Sequence, residues 1–212
     1  MNERAPLEIV DLERRVAPRQ KRSQVRIQNI VAAAKRLLER GQLDITTSLV
    51  AQEADVPVSS VYRYFPNIYS IHRTILEEFQ DDTDKLVESI LADPDYEDWR
   101  PSISGMLRGL RQLTLDDPAY GAVLRLTMTT HELRAVKEEW NRKITEVFAD
   151  RWRQGLDNFK DGDPEIVARM AVEIYTSAEV MAFEERTRPE QADAYFEEAM
   201  IALERYLAPY LD

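Results

Sequence analysis

The sequence predicts an all-α protein of about nine helices. Apolar residues recur at three- and four-residue intervals along almost the whole chain, and period-two alternation is nearly absent. Only 6 Gly and 10 Pro occur in 212 residues, and they fall mainly between the apolar stripes. With 44% hydrophobic and 32% charged residues the chain is globular and rich in helix formers, which excludes a disordered polymer.

Ile27, Ile30, Val31, Ala34, Leu37 and Leu38 form the first stripe, and Gly41 is placed to end it. Thr46 and Thr47 offer side-chain oxygens to cap a short second helix that reaches Ala54. Glu53 and Asp55 lead into the turn "DVP", where Asp55 stands at a point that needs left-handed backbone. A third short helix follows from Val58 to Tyr64. Pro66 disfavours helical geometry at Phe65, after which Ile68, Ile71, Ile75, Phe79, Leu86 and Ile90 mark a long fourth helix ending before Pro94.

Beyond "ADPDYEDWRP", a fifth helix carries Ile103, Met106, Leu107, Leu110 and Leu113 and breaks at "DDP". Tyr120, Val123 and Leu124 mark a brief sixth. Leu133, Val136, Trp140, Ile144, Val147 and Trp152 carry a long seventh up to the "DGDP" turn at 161–164. Val167, Met170, Ala171, Ile174, Ala178 and Met181 stripe the eighth. Pro189 separates it from a ninth, along Phe196, Ala199, Leu203, Leu207 and Tyr210. No internal repeat or low-complexity segment interrupts this series.

The net charge of -11 is unevenly spread. Residues 1–75 hold 12 Lys and Arg against 8 Asp and Glu, a net +4, whereas the remaining 137 hold 16 against 31, a net -15. An electropositive head on an acidic body points to nucleic acid at one end only. The lack of Cys removes disulfides and thiol nucleophiles and suits a reducing compartment, so the cytoplasm is the expected location. "MNERAPLEIVDLERRVAPRQKR" has no apolar run of signal-peptide length, and no stretch of about 18 apolar residues follows, so no membrane partner is expected. The expected organisation is a basic arm at 1–21, a helix-turn-helix domain at 22–67, and an acidic helical body at 68–212.

Two short helices joined by a tight turn and flanked by longer ones make the helix-turn-helix arrangement, whose second short helix enters the major groove of double-stranded DNA. The segment "TTSLVAQEADVPVSSVYRYFP" has residue types that fit. Thr47 and Ser48 open the second helix, where free N–H groups, the helix dipole and hydroxyls can hold a phosphate. In the third helix Val61 and Phe65 point inward at i, i+4, leaving Ser59, Ser60 and Arg63 outward. Small hydroxyl residues admit base edges closely, and an outward Arg can bond guanine bidentately. Tyr62 and Tyr64 offer phenol donors for phosphates. Arg22 joins Arg14, Arg15, Arg19, Lys21 and Arg26 in a basic supply around the arm, and arginines there suit a narrow minor groove.

"VAAAKRLLERG", then "DITTSLVAQEADVPVSSVYRYFPN", then a long amphipathic helix, resembles the N-terminal domain of TetR-family transcriptional regulators. The resemblance implies an all-helical homodimer with a C-terminal domain that holds a small-molecule effector and contributes its last two long helices to a four-helix dimer interface. It implies a repressor that binds a palindromic operator and is released by the effector. It implies phosphate contacts for Thr47, Tyr62 and Tyr64 and base-facing positions for Val58, Ser59, Ser60 and Arg63. Two positions depart from the pattern: Asp55 stands where the family often has Gly, and Ile68 where a phosphate-binding Lys commonly follows the "YxxF" segment by three residues. The missing Lys shifts the expected share of affinity toward the basic arm.

Large aromatic and sulfur side chains in the body suit an apolar pocket between helices, and Met106, Tyr120, His131, Trp140, Tyr175 and Met181 are the candidate effector contacts. The same stripes also serve as ordinary core. Neither His72 nor His131 has a Glu three residues before it, "DGD" is too short for a calcium loop, and no Gly-rich phosphate loop or activated nucleophile is present. The reading is therefore no enzyme, no metal and no cofactor beyond an unidentified effector. Two other readings compete: a helical adaptor without DNA binding, for which Ile68 argues, and an all-helical enzyme using the acidic body.

Overall fold

The computed structural model describes residues 21–93 and 98–212, with the side chains of 21 and 22 left undescribed. The basic arm and the Arg22 side chain, both expected to meet DNA, thus lie outside the described residues. All regular structure among the described residues is helical: α1 Lys21–Glu39, α2 Thr47–Glu53, α3 Val58–Tyr64, α4 Ile68–Leu91, α5 Trp99–Asp116, α6 Pro118–Thr127, α7 His131–Arg153, α8 Pro164–Glu184 and α9 Pro189–Leu211. A single 3₁₀ turn, Leu156–Asn158, lies between α7 and α8.

The nine apolar stripes are the nine helices. Three prolines that interrupt the stripes, Pro118, Pro164 and Pro189, prove to be first residues of helices. The N–H that proline lacks would be unpaired there anyway, and its fixed φ is already helical. Carboxylates cap two more starts: Asp98 accepts the Arg100 N–H at 3.0 Å, and Asp163 accepts the Glu165 N–H at 2.9 Å.

The chain divides into two compact units after Ile75, inside α4. Residues 68–75 therefore group with the helix-turn-helix, although Pro66 marks the natural break in the sequence. In the first unit Ile30, Val50, Val61, Phe65 and Ile71 are wholly buried. Each such side chain removed from water is worth about 1.5–3 kcal/mol, enough to hold helices as short as α2 and α3, which would not persist alone.

In the second unit α8 packs along both α7 and α9, with α5 against α9 and α6 against α7 and α8. One part of its core gathers Trp99, Trp152, Val167, Leu207 and Leu211; another gathers Val87, Met106, Leu110, Phe196 and Leu203. Gly121 lies under the Phe183 ring, where a Cβ would collide, so the absence of a side chain sets how closely α6 approaches α8.

Candidate nucleic-acid interface and effector cavity

The helix-turn-helix is held by its ends. α1 stops where Gly41 turns to φ 82, with the Gln42 N–H returning to the Leu37 carbonyl at 3.2 Å. Thr46 caps α2 by accepting the Leu49 N–H at 3.2 Å. α2 ends in the same closure, the Val56 N–H reaching the Ala51 carbonyl at 3.0 Å around Asp55, whose φ is 52. Asp55 thus takes the left-handed conformation expected of it. Asn29 Nδ2 donates to the Ala54 carbonyl at 2.9 Å and ties this turn to α1. Glu53 accepts from Arg36 Nε at 2.9 Å and from Arg40 Nη2 at 2.7 Å, and these hydrogen bonds, that from Arg40 first, hold its carboxyl below the usual range.

On α3, Val61 and Phe65 are 0% exposed. Ser59 and Arg63 are exposed, as are Val58 and Tyr62, and Ser60 is half-buried. Ser48 is exposed in the first turn of α2. Thr47 and Tyr64 differ from their expected outward display: they are 8% and 7% exposed. Tyr64 follows Val61 by three residues and shares its inward face. Thr47 lies behind Tyr62 and donates from Oγ1 to the Tyr62 hydroxyl at 2.9 Å. Ile68, at the start of α4, is half-buried.

In the second unit a cavity of about 90 Å³ opens between α4, α5, α7, α8 and α9. Ile103, Leu107, Leu110, Phe148, Leu203 and Leu207 make most of its apolar wall. Thr83, Lys137, Asn141, Tyr175, Thr176 and Glu179 bring polar groups to it. Of the six candidate contacts, Met106, Trp140 and Tyr175 line it; Tyr120, His131 and Met181 do not. Tyr120 is fully buried, stacks on Phe79 and accepts from Lys137 Nζ at 3.3 Å. His131 is exposed as the first residue of α7. Met181, 48% exposed, sits two residues beyond Glu179 and so on the opposite side of α8.

Lys137 and Glu179 are the residues the sequence reading passes over. Both are buried, with Lys137 Nζ 3.7 Å from Glu179 Oε2 and 4.1 Å from the centroid of the Trp140 ring. Burial pushes the Lys137 ammonium down and the Glu179 carboxyl up, and each partner's charge opposes the shift of the other. Tyr175 donates a hydrogen bond to Glu179, yet Glu179 Oε2 and Thr83 Oγ1 are left with no hydrogen-bond partner. One signal was available: Lys137 interrupts the apolar stripe of α7 between Leu133 and Trp140. Among the described residues no group of three or more His, Asp or Glu side chains converges as a metal ion would require, and no helix is long and apolar enough to cross a membrane.

Residues 30–72 match the family model of bacterial regulatory proteins of the tetR family, and residues 98–207 match the model of the tetracyclin repressor-like C-terminal domain. Among solved structures, a TetR-family transcriptional regulator from Streptomyces coelicolor is 24% identical, covers 88% of this chain and 99% of its own, and superposes with a TM-score of 0.63. A TetR transcription regulator from Haloarcula marismortui is 16% identical, with 89% and 100% covered and a TM-score of 0.70. A TetR-family regulator from Syntrophomonas wolfei is 15% identical, with 89% and 97% covered and a TM-score of 0.68. No curated protein matches the chain in sequence.

Proposed function

The chain belongs to the tetR family of bacterial regulatory proteins, and from that premise we propose that it is a transcriptional repressor that grips a palindromic operator as a homodimer and lets go when a small molecule fills its cavity. The observation that carries the reading is the two-sidedness of α3: Ser59, Tyr62 and Arg63 are exposed while Val61 and Phe65 are sealed in the core. Set into a major groove, such a helix offers Arg63 to guanine O6 and N7 and Ser59 to a base edge. Ser48 and Tyr62 would take phosphates, with Thr47 aiming Tyr62 from behind.

Dimerisation is supported by apolar residues left on the outer faces of the last two helices. Ile166, Met170 and Met181 on α8 and Ile201 on α9 are all exposed large hydrophobics. A second copy would bury them across a two-fold axis, matching the symmetry of a palindromic site. α4 offers a route for coupling, since its first turns belong to the DNA-binding unit while Thr83 and Val87 line the cavity. An occupant that prefers one setting of α4 weakens DNA binding, and DNA weakens the occupant's binding by the same factor.

Selection of genomic fragments with the purified protein, followed by gel-shift titration of the recovered duplex, tests this. Two protomers on one palindrome is the expected result. Failure to enrich any sequence over bulk DNA at low salt would overturn it.

A further inference from the structure

The cavity wall says more than that something binds, and what it says rests on the effector-binding reading above. We infer that the occupant is an uncharged, mainly apolar aromatic molecule bearing one hydroxyl, a small phenol, whose O–H donates to Glu179 Oε2.

Size comes first. The cavity of about 90 Å³ is room for roughly six to nine water-sized groups at 10–15 Å³ each, a single substituted ring rather than a long chain. Trp140, Phe148, Trp152 and Tyr175 in the wall present ring faces and edges to such a guest.

Charge comes next. Lys137 and Glu179 face each other at 3.7 Å and together carry no net charge, wherever the proton between them resides. The other charges whose fields reach them are matched in turn: Arg111 by Asp193 at 3.0 Å and Glu173 by Arg169 at 2.7 Å. A guest with a full charge would upset this balance in a dry site, at a large desolvation cost. A cation would also meet Lys137, which already lies over the Trp140 face, and an anion would meet Glu179.

Polarity decides the rest. The buried orphan at the wall is a carboxylate oxygen, an atom that accepts. Lys137 does not satisfy it, since its Nζ donates to the Tyr120 hydroxyl at 3.3 Å and stands beyond hydrogen-bond reach of Oε2. The guest must therefore bring the donor. Thr83 Oγ1, the second orphan on the wall, offers further polar contact to a hydroxyl but none to a hydrocarbon.

The test uses four probes of one shape: 4-ethylphenol, ethylbenzene, 4-ethylbenzoate and 4-ethylbenzylamine, titrated into the full chain and followed by the fluorescence of Trp140 and Trp152 in the wall. The phenol should bind about tenfold or more tighter than each of the others, because only it satisfies the buried oxygen without adding charge. In the double variant Lys137→Met/Glu179→Leu, with folding checked by a circular dichroism melt, ethylbenzene should bind at least as well as before and the phenol preference should vanish. Equal binding of phenol and hydrocarbon by the unaltered chain, tightest binding of either charged probe, or no saturable binding of any probe would each overturn the inference, whether or not the variant folds. Gel shifts on the same preparations separate the two readings. Intact duplex binding with the wrong probe ranking removes only the ligand assignment, and the right ranking without duplex binding removes only the regulator.

Discussion

Thr47 Oγ1 donates to the Tyr62 hydroxyl across 2.9 Å, so a buried residue in the first turn of α2 directs an exposed one on α3. Replacing Tyr62 by Phe keeps the ring and removes the shared hydroxyl. Stability should fall by no more than about 1.5 kcal/mol, the usual range for one net hydrogen bond. Affinity should fall by the same factor on operator and on unrelated duplex, since a phosphate contact carries no sequence information. Competition titrations with both duplexes check this, and a loss confined to the operator would assign Tyr62 to base reading.

Arg63 makes the opposite forecast. Arg63→Ala should cost about 1–3 kcal/mol on the operator and relax preference at one base position, with little change on unrelated DNA. A panel of single-base operator variants reads the outcome directly. Uniform weakening across the panel would make Arg63 a phosphate contact instead.

Asp55, at φ 52, holds a conformation in which a Cβ is unfavourable. Asp55→Val, β-branched at that φ, should destabilise the protein by about 1–2 kcal/mol. Asp55→Gly should be neutral or stabilising by up to about 1 kcal/mol, since relief of strain is partly offset by greater freedom of the unfolded chain. Urea denaturation of the three proteins orders them.

His72 is buried with neither ring nitrogen hydrogen-bonded, and burial lowers its pKa to about 4 from an ordinary 6.5. The unfolded chain therefore takes up this proton first as pH falls. The contribution of a neutral His72 is whole above pH 6.5 and is lost progressively down to about pH 4, about 3 kcal/mol in all. His72→Met, of similar bulk and untitratable, should flatten that part of the stability–pH curve measured by chemical denaturation. An unchanged curve would mean that the ring is paired in solution.

Glu179→Leu leaves the Lys137 ammonium buried without its counter-charge, and should cost about 3–5 kcal/mol. Adding Lys137→Met should restore most of that loss, because replacing a whole buried pair by apolar residues is often neutral or better. Thermal melts of single and double variants give the coupling, and additive losses would show that the two groups act independently.

The number, order and approximate ends of the helices, and the residue types of the helix-turn-helix, follow from the sequence by itself. They depend on local physics: a 3.6-residue period, Gly41 and Asp55 where the backbone must turn left-handed, and prolines that tolerate only a helix start. The inward pair Val61 and Phe65 was legible for the same reason. Tertiary structure alone decided which neighbour covers each face. Tyr64 went inward with Val61, and Thr47 went behind Tyr62. Among similar side chains, Tyr175 reached the cavity and Tyr120 did not, and Met106 did while Met181 faced outward. α8 is apolar on more than one side, with Val167 and Ala178 buried and Ile166, Met170 and Met181 exposed, so its stripe could not say which side would meet the core. Nor could a sequence show that Lys137 and Glu179, 42 positions apart, would close on each other in a dry wall, because a contact at that separation exists only once α7 and α8 have packed.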